Sequence, residues 1–295
     1  MKNPRRTPGL FLLAASLGVV LTVAGTTAAQ AQDTPDVGLT LEETISLKRV
    51  SKAVMSPNGD VIAYLLSVPR TPYVDEDGGA WSELHVVTIE GVSRSYAEGK
   101  VSISDVAWSA DGSALYFTGK LDQEMEQPVI YRMPVDGGGP QAIYAPGTGV
   151  SGLAPSPDGT RLAYLAVTPA DPKDKELAAL GFNAHVYEES DEATRVWVLE
   201  LESGEAEPLD LNGSASGFDW GPEGERFAIA LAPTPQVDDE LMSRDIVIVD
   251  AEDGDVEDRL GHRGKLGSFA FSPDGEKVAW IGGEDIHDPS EGRLY

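Results

Sequence analysis

Five short runs of almost unbroken apolar residues punctuate the chain: Val61-Ile62-Ala63-Tyr64-Leu65, Leu115-Tyr116-Phe117, Leu162-Ala163-Tyr164-Leu165, Phe227-Ala228-Ile229-Ala230 and Val278-Ala279-Trp280-Ile281. Runs this short, rich in β-branched and aromatic side chains and bounded by turn residues, predict strands covered on both faces. The same phrase stands before each: Met55-Ser56-Pro57-Asn58-Gly59, Trp108-Ser109-Ala110-Asp111-Gly112, Pro155-Ser156-Pro157-Asp158-Gly159, Trp220-Gly221-Pro222-Glu223-Gly224 and Phe271-Ser272-Pro273-Asp274-Gly275. Proline presets φ for the first central position of a tight turn, Asp or Asn suits the second, and glycine takes the positive φ that leads into the next strand. Each phrase therefore predicts a hairpin tip. The glycines stand about 47 to 65 residues apart, near the ~40 to 50 residues of propeller blades.

Each unit carries two more predicted strands. Third strands cover Leu84–Ile89, Val129–Met133, Arg195–Leu201 and Asp245–Val249, each followed by a glycine-bearing turn, and outer strands follow, such as Gln141–Tyr144 and Glu207–Leu209. Four strands per unit is the recipe of a propeller. The expected fold is all-β: a β-propeller with four-stranded blades, four full units from about residue 50 to 265 and a partial fifth ending at Gly292–Tyr295. A propeller hides its sheet faces only when last and first blades meet, so the pattern is expected to be incomplete at the C-terminus and part of a longer protein. Ahead of the first unit, Thr40-Leu41-Glu42-Glu43 fits a capping box for a short helix through Leu47, with Leu41, Ile45 and Leu47 docking on the rim. In the longer third unit Asp171 and Pro172 predict the cap and first position of a helix stopped by Gly181. That insertion is the expected decoration near a functional face, because loops carry binding while strands carry packing. Gly213-Ser214-Ala215-Ser216-Gly217 reads as a flexible linker between units.

The leader changes the setting. Lys2, Arg5 and Arg6, the apolar stretch Leu10–Val23 and the small residues of Ala29-Gln30-Ala31 describe a secretory signal peptide over residues 1–31. An N-terminal segment with the short helix follows over 32–49, and the incomplete propeller over 50–295. The apolar stretch is shorter than the ~20 residues of a spanning helix, so the expectation is a periplasmic or secreted protein with no membrane partner after cleavage. A formal net charge of −27, from 22 Lys and Arg against 49 Asp and Glu, argues against nucleic acid and anionic membrane surfaces, which demand basic patches. With 41% hydrophobic and 24% charged residues the acidity describes a solvated surface and not disorder. The chain has no cysteine, so disulfides and thiolate metal sites contribute nothing.

The opening Leu39-Thr40-Leu41-Glu42-Glu43-Thr44-Ile45-Ser46-Leu47-Lys48-Arg49-Val50, the first unit Met55 to Tyr64, and Val186-Tyr187-Glu188-Glu189 followed by Thr194–Leu199 together resemble the secreted acylaminoacyl-peptidase and dipeptidyl-peptidase branch of the prolyl oligopeptidase family. The Ser-Pro-Asp-Gly phrase is shared with TolB-like periplasmic propellers. The resemblance implies a propeller that gates access of short peptides to a C-terminal α/β-hydrolase domain, missing here, whose serine sits on a strand-to-helix elbow. No Gly-x-Ser-x-Gly occurs; the nearest string, Gly213 to Gly217, has alanine at the nucleophile position. No catalytic residue is therefore expected in this chain, and no cofactor. Two other readings stay open: a TolB-like propeller that binds an envelope protein without catalysis, and a propeller fused to a metal-dependent amidohydrolase.

One candidate substrate-binding pair follows from the resemblance. Glu188 and Glu189 stand where dipeptidyl-peptidase relatives hold a substrate's ammonium group with paired glutamates, and two adjacent carboxylates can accept charge-assisted hydrogen bonds from a terminal amine. The alternative is a solvated acidic loop from Glu188 to Glu192. His85, His185, His262 and His287 share no spacing suited to zinc. Asp75-Glu76-Asp77-Gly78 and Asp250-Ala251-Glu252-Asp253-Gly254 lack the ligand spacing of a helix-loop-helix calcium site and read as acidic turns. No metal site is expected. Trp108, Trp220 and Trp280 sit at repeat positions and read as packing between units rather than a carbohydrate platform.

Overall fold

The computed structural model describes residues 38–189, 191–262, 264–287 and 292–295. The expected signal peptide, residues 1–31, lies outside the described residues. The chain divides into two units, Met1–Thr40 and Leu41–Tyr295, and the second carries the helices and strands that follow. Helix α1 (Leu41–Ile45) is shorter than expected, and Leu41, Ile45 and Leu47 stay exposed instead of docking on a rim. Five residues make little more than one turn and bury nothing, so this helix gains no packing.

Strands β1 (Arg49–Met55), β2 (Val61–Val68), β3 (Trp81–Thr88) and β4 (Ser93–Ala97) form an antiparallel meander in chain order. β5 (Ser102–Trp108), β6 (Ala114–Lys120), β7 (Val129–Pro134) and β8 (Gln141–Tyr144) repeat it, and one parallel pair, Ser82 with Ser102, merges both into an eight-stranded sheet. A four-stranded sheet holds β9 (Ser151–Pro155) and β10 (Arg161–Ala166), then, after helix α2 (Pro172–Ala179), β11 (Arg195–Glu200) and β12 (Ala206–Pro208). The next holds β13 (Ser214–Trp220) and β14 (Arg226–Ala232), then, after α3 (Val237–Met242), β15 (Asp245–Asp250) and β16 (Val256–Leu260). β17 (Leu266–Phe271), β18 (Val278–Gly282) and β19 (Arg293–Leu294) make a three-stranded sheet. The leading strands adjoin one another: β5 lies against β1 and β9, and β13 against β9 and β17.

Two local expectations change. The third strand of the first meander begins at Trp81, while Ile89 lies outside it and exposed. The supposed linker around Ser214 is β13 itself, in register with β14 through Ser214–Ala232 and Ala215–Leu231. Its small residues serve close approach: a Cβ on Gly213 would lie 2.3 Å from the Ala232 carbonyl oxygen, so glycine is needed for the strand to come this near.

Four apolar layers lie between consecutive meanders. Leu115 and Phe117 face Leu65, Leu84 and Val86, whereas Tyr116, between them in sequence, joins Leu162, Tyr164 and Leu199 on the other side. Ala163 and Leu165 pack with Phe227 and Ile229, and the alternate Ala228 and Ala230 pack toward Leu266, Phe269 and Trp280. Because side chains alternate across a strand, the second strand of each internal meander feeds two cores, which is why its sequence reads as unbroken apolarity.

Four of the five repeated turns share one chemistry, the exception being the turn that begins at Gly221. Ser109 Oγ donates to Asp111 Oδ1 (2.7 Å) and accepts the Ala114 N–H (2.9 Å), while the Gly112 N–H donates to the Ser109 carbonyl (2.9 Å). Ser156 with Asp158, and Ser272 with Asp274, repeat it, and Ser56 uses Asn58. Gly59, Gly112, Gly159, Gly224 and Gly275 all have φ between +71° and +79°, the left-handed region that glycine enters without a Cβ clash. These hydrogen bonds hold Asp111 down to about 2, the Ser109 hydroxyl contributing most and the Ser113 N–H next. Asp158 and Asp274 are lowered for the same reason.

Candidate functional site

In each meander the first-to-second and third-to-fourth strand connections emerge at one rim, and the second-to-third connections at the other. The first rim carries the short repeated turns. The opposite rim carries the long connections: residues 69–80, 121–128, 167–194 and 233–244, including α2 and α3. Exposed apolar side chains gather on these, with Tyr73 and Val74 in the first, Leu180, Phe182, Val186 and Tyr187 in the third, and Val237 and Leu241 in the fourth.

The insertion over 167–194 forms as its sequence predicts. Asp171 Oδ1 accepts the Lys173 N–H (2.8 Å), Pro172 opens α2, and Gly181 ends it at φ +94° with its N–H on the Ala178 carbonyl (2.9 Å). No residue of α2 is buried. Beyond it, Phe182 and Tyr187 are each 74% exposed. Glu188 sits in a tight turn with φ +64°, a left-handed conformation that costs a non-glycine residue about 1–2 kcal/mol. The Glu189 N–H closes that turn onto the Val186 carbonyl (3.1 Å). His185 Nε2 stands 3.3 Å from Asp191 Oδ1 across its base, and Gln236 Nε2, at the cap of α3, donates to the Glu188 carbonyl (3.4 Å). Glu188 and Glu189 are exposed, and among the described residues neither carboxylate has an ion-pair partner. Gln236 gives no sequence signal of its own, since it lies 48 positions downstream and reaches the turn only because consecutive meanders adjoin.

The other candidates are occupied locally. Arg70 fills the acidic loop after β2: its Nε donates to the Gly79 carbonyl (2.7 Å), its Nη1 to the Glu76 carbonyl (2.8 Å), and its guanidinium lies 3.8 Å over the Trp81 ring. Asp250 Oδ1 accepts the Glu252 N–H (2.7 Å) in the second acidic turn. His85 stacks on Tyr64 and lies 3.0 Å from Glu83 Oε2, and His262 Nδ1 accepts the Trp280 indole N–H (3.3 Å). Trp108 and Trp220 are buried, and each indole N–H donates to the first strand of the preceding meander, at the Val54 (3.0 Å) and Ala154 (3.1 Å) carbonyls.

At the two remaining junctions a carboxylate replaces the indole, a pairing the sequence does not announce because the two aspartates sit at different offsets in the repeat. Asp105 accepts the Leu153 N–H (3.0 Å) while ion-paired with Lys52. Asp219 accepts the Phe271 N–H (2.8 Å), and burial pushes its carboxyl above the ordinary range.

No family profile matches the sequence. Dipeptidyl-peptidase 5 from Porphyromonas endodontalis is 26% identical over 176 residues, 58% of this chain and 24% of that protein. Acylaminoacyl peptidase from Pyrococcus horikoshii aligns with a TM-score of 0.60 at 14% identity, over 86% of this chain and 39% of that one. The chain is similar to the propeller part of prolyl oligopeptidase-family peptidases. The propeller is also similar to TolB from Acinetobacter baumannii, with a TM-score of 0.53 at 18% identity over 80% of this chain and 49% of that one. It spans less than half the length of each of these three proteins.

Proposed function

We propose that this chain is the substrate-gating propeller portion of an exported serine peptidase that cleaves short peptides, with the catalytic α/β-hydrolase domain outside these residues. In this reading the meanders are four four-stranded blades and a partial fifth. The observation that supports it is the asymmetry of the two rims. One is closed by short hydrogen-bonded turns, while the other offers long connections, exposed aromatic and aliphatic side chains and an unpaired carboxylate doublet. A second, catalytic domain covering that rim would bury those side chains and leave Glu188 and Glu189 facing the enclosed space, where they fix the ammonium end of a peptide. The likeness to TolB supports a second reading, a propeller that binds an envelope protein and catalyses nothing.

Steady-state kinetics of the complete natural protein separates the two readings. Glu188→Gln with Glu189→Gln is expected to raise KM for free-amine peptides by about tenfold or more, since both charge-assisted contacts are lost, while kcat and the cleavage of amino-blocked peptides stay unchanged. Equal KM values in both proteins would remove the doublet from the reading, and absence of any peptidase activity would favour the binding module.

A further inference from the structure

The junction between the second and third meanders lacks three features that recur at other junctions, and a cleft lies there. At the junctions on either side of the fourth meander an arginine five residues after the turn's first position reaches the next glycine carbonyl: Arg161 Nη2 donates to Gly224 O (2.6 Å), and Arg226 Nη2 approaches Gly275 O at 3.5 Å. Ala114 occupies that position in the second turn. Pro57, Pro157 and Pro222 lie over the next turn's glycine, whereas Ala110 stands in for proline in the second turn. Trp108 and Trp220 fill the base of their junctions, but the equivalent residue of the third turn is Pro155. A cleft of about 590 Å³ lies at this junction, lined by Ala110, Tyr116, Arg132, Ile143, Leu201 and the turn residues Asp111 and Asp158.

Arg132 comes from the middle of β7, on the same face of the strand as Ile130, which packs toward the third meander. It is half-buried, and among the described residues its guanidinium has no hydrogen-bond or ion-pair partner. Asp111 and Asp158 do not supply one, because their carboxylates are held by Ser109 and Ser156 and by the N–H groups of Ser113 and Thr160. A half-buried guanidinium beside apolar walls is a site for a planar carboxylate, which it can grip with two parallel hydrogen bonds. The volume suits a small molecule. Asp111 and Asp158 at the rim oppose Arg132 and raise the cost of any anion, in proportion to its charge, so a monocarboxylate is disfavoured less than a phosphate, while Tyr116, Ile143 and Leu201 favour an aliphatic side chain next to the carboxylate.

We propose that this cleft binds the free α-carboxylate of an apolar amino acid residue, either as the amino acid itself or as the C-terminus of a short peptide, on the rim opposite Glu188 and Glu189. Calorimetric titration of the full chain with leucine, N-acetyl-leucine, its amide and the dipeptide Ala-Leu tests it. Saturable binding of N-acetyl-leucine is expected with a Kd on the order of 1 mM, at least tenfold weaker for the amide and for Arg132→Ala. Ala110→Trp, at an exposed residue that lines the cleft, should fill it and abolish binding with the melting temperature kept. Ala-Leu binding as well as N-acetyl-leucine assigns the site to peptide C-termini, and leucine binding where Ala-Leu fails assigns it to single amino acids. Equal affinity for acid and amide, undiminished binding by Arg132→Ala or Ala110→Trp, or no saturation of the wild type by about 20 mM would each overturn the proposal.

Discussion

Four of the five repeated turns depend on a serine hydroxyl that bonds in two directions, and in the three where its partner is an aspartate this makes the turn sensitive to acid. Ser109 gives its proton to Asp111 and takes one from the buried Ala114 N–H, so Ser109→Ala leaves a buried donor unsatisfied and is expected to cost about 1–3 kcal/mol. Asp111 is held at about 2 against an ordinary 3.8, with Asp158 and Asp274 shifted the same way. A carboxylate whose folded value is depressed contributes stability above the unfolded value and loses it as pH falls through the folded one. Melting temperature is therefore expected to fall between about pH 4 and pH 2, and Asp111→Asn should flatten that slope. A melting temperature with the same pH dependence in wild type and variant would contradict the assignment.

At the scale of elements, the junctions between meanders are joined by different residues doing the same work. Trp108→Phe or Trp220→Phe keeps the ring but strands the Val54 or Ala154 carbonyl, and a loss of about 0.5–1.5 kcal/mol in urea denaturation is expected for each. Helix α2 is the opposite case: it buries nothing, so replacing residues 170–182 by a short Gly-Ser link should shift stability by no more than about 0.5 kcal/mol. The repeated turns, the doubly covered strands and the capped helix were legible from sequence because each rests on local chemistry, such as Ser109 with Asp111 or Asp171 with Pro172. What escaped was set by neighbours. The Gly213 to Gly217 string reads as a linker until β14 and the following meander supply the surfaces that make it a strand, and α1 lacks the packing its apolar residues suggested. Gln236, Asp105 and Arg132 carry no local mark at all, since each acquires meaning only from the meander beside it.

On the scale of the whole molecule, the two rims divide the labour. Short turns linked from one meander to the next stiffen one side, and the connections of variable length on the other carry the exposed side chains that the proposed function turns toward substrate. The strongly acidic surface adds a field that favours cationic ends of peptides over anionic polymers. In the proposed function a serine hydrolase stands behind the apolar rim. The most direct test is covalent labelling of the complete, natively folded gene product with a fluorophosphonate probe. A single labelled serine outside residues 1–295, lost on prior heat denaturation, is the expected result; a folded protein that takes up no label would contradict the peptidase reading.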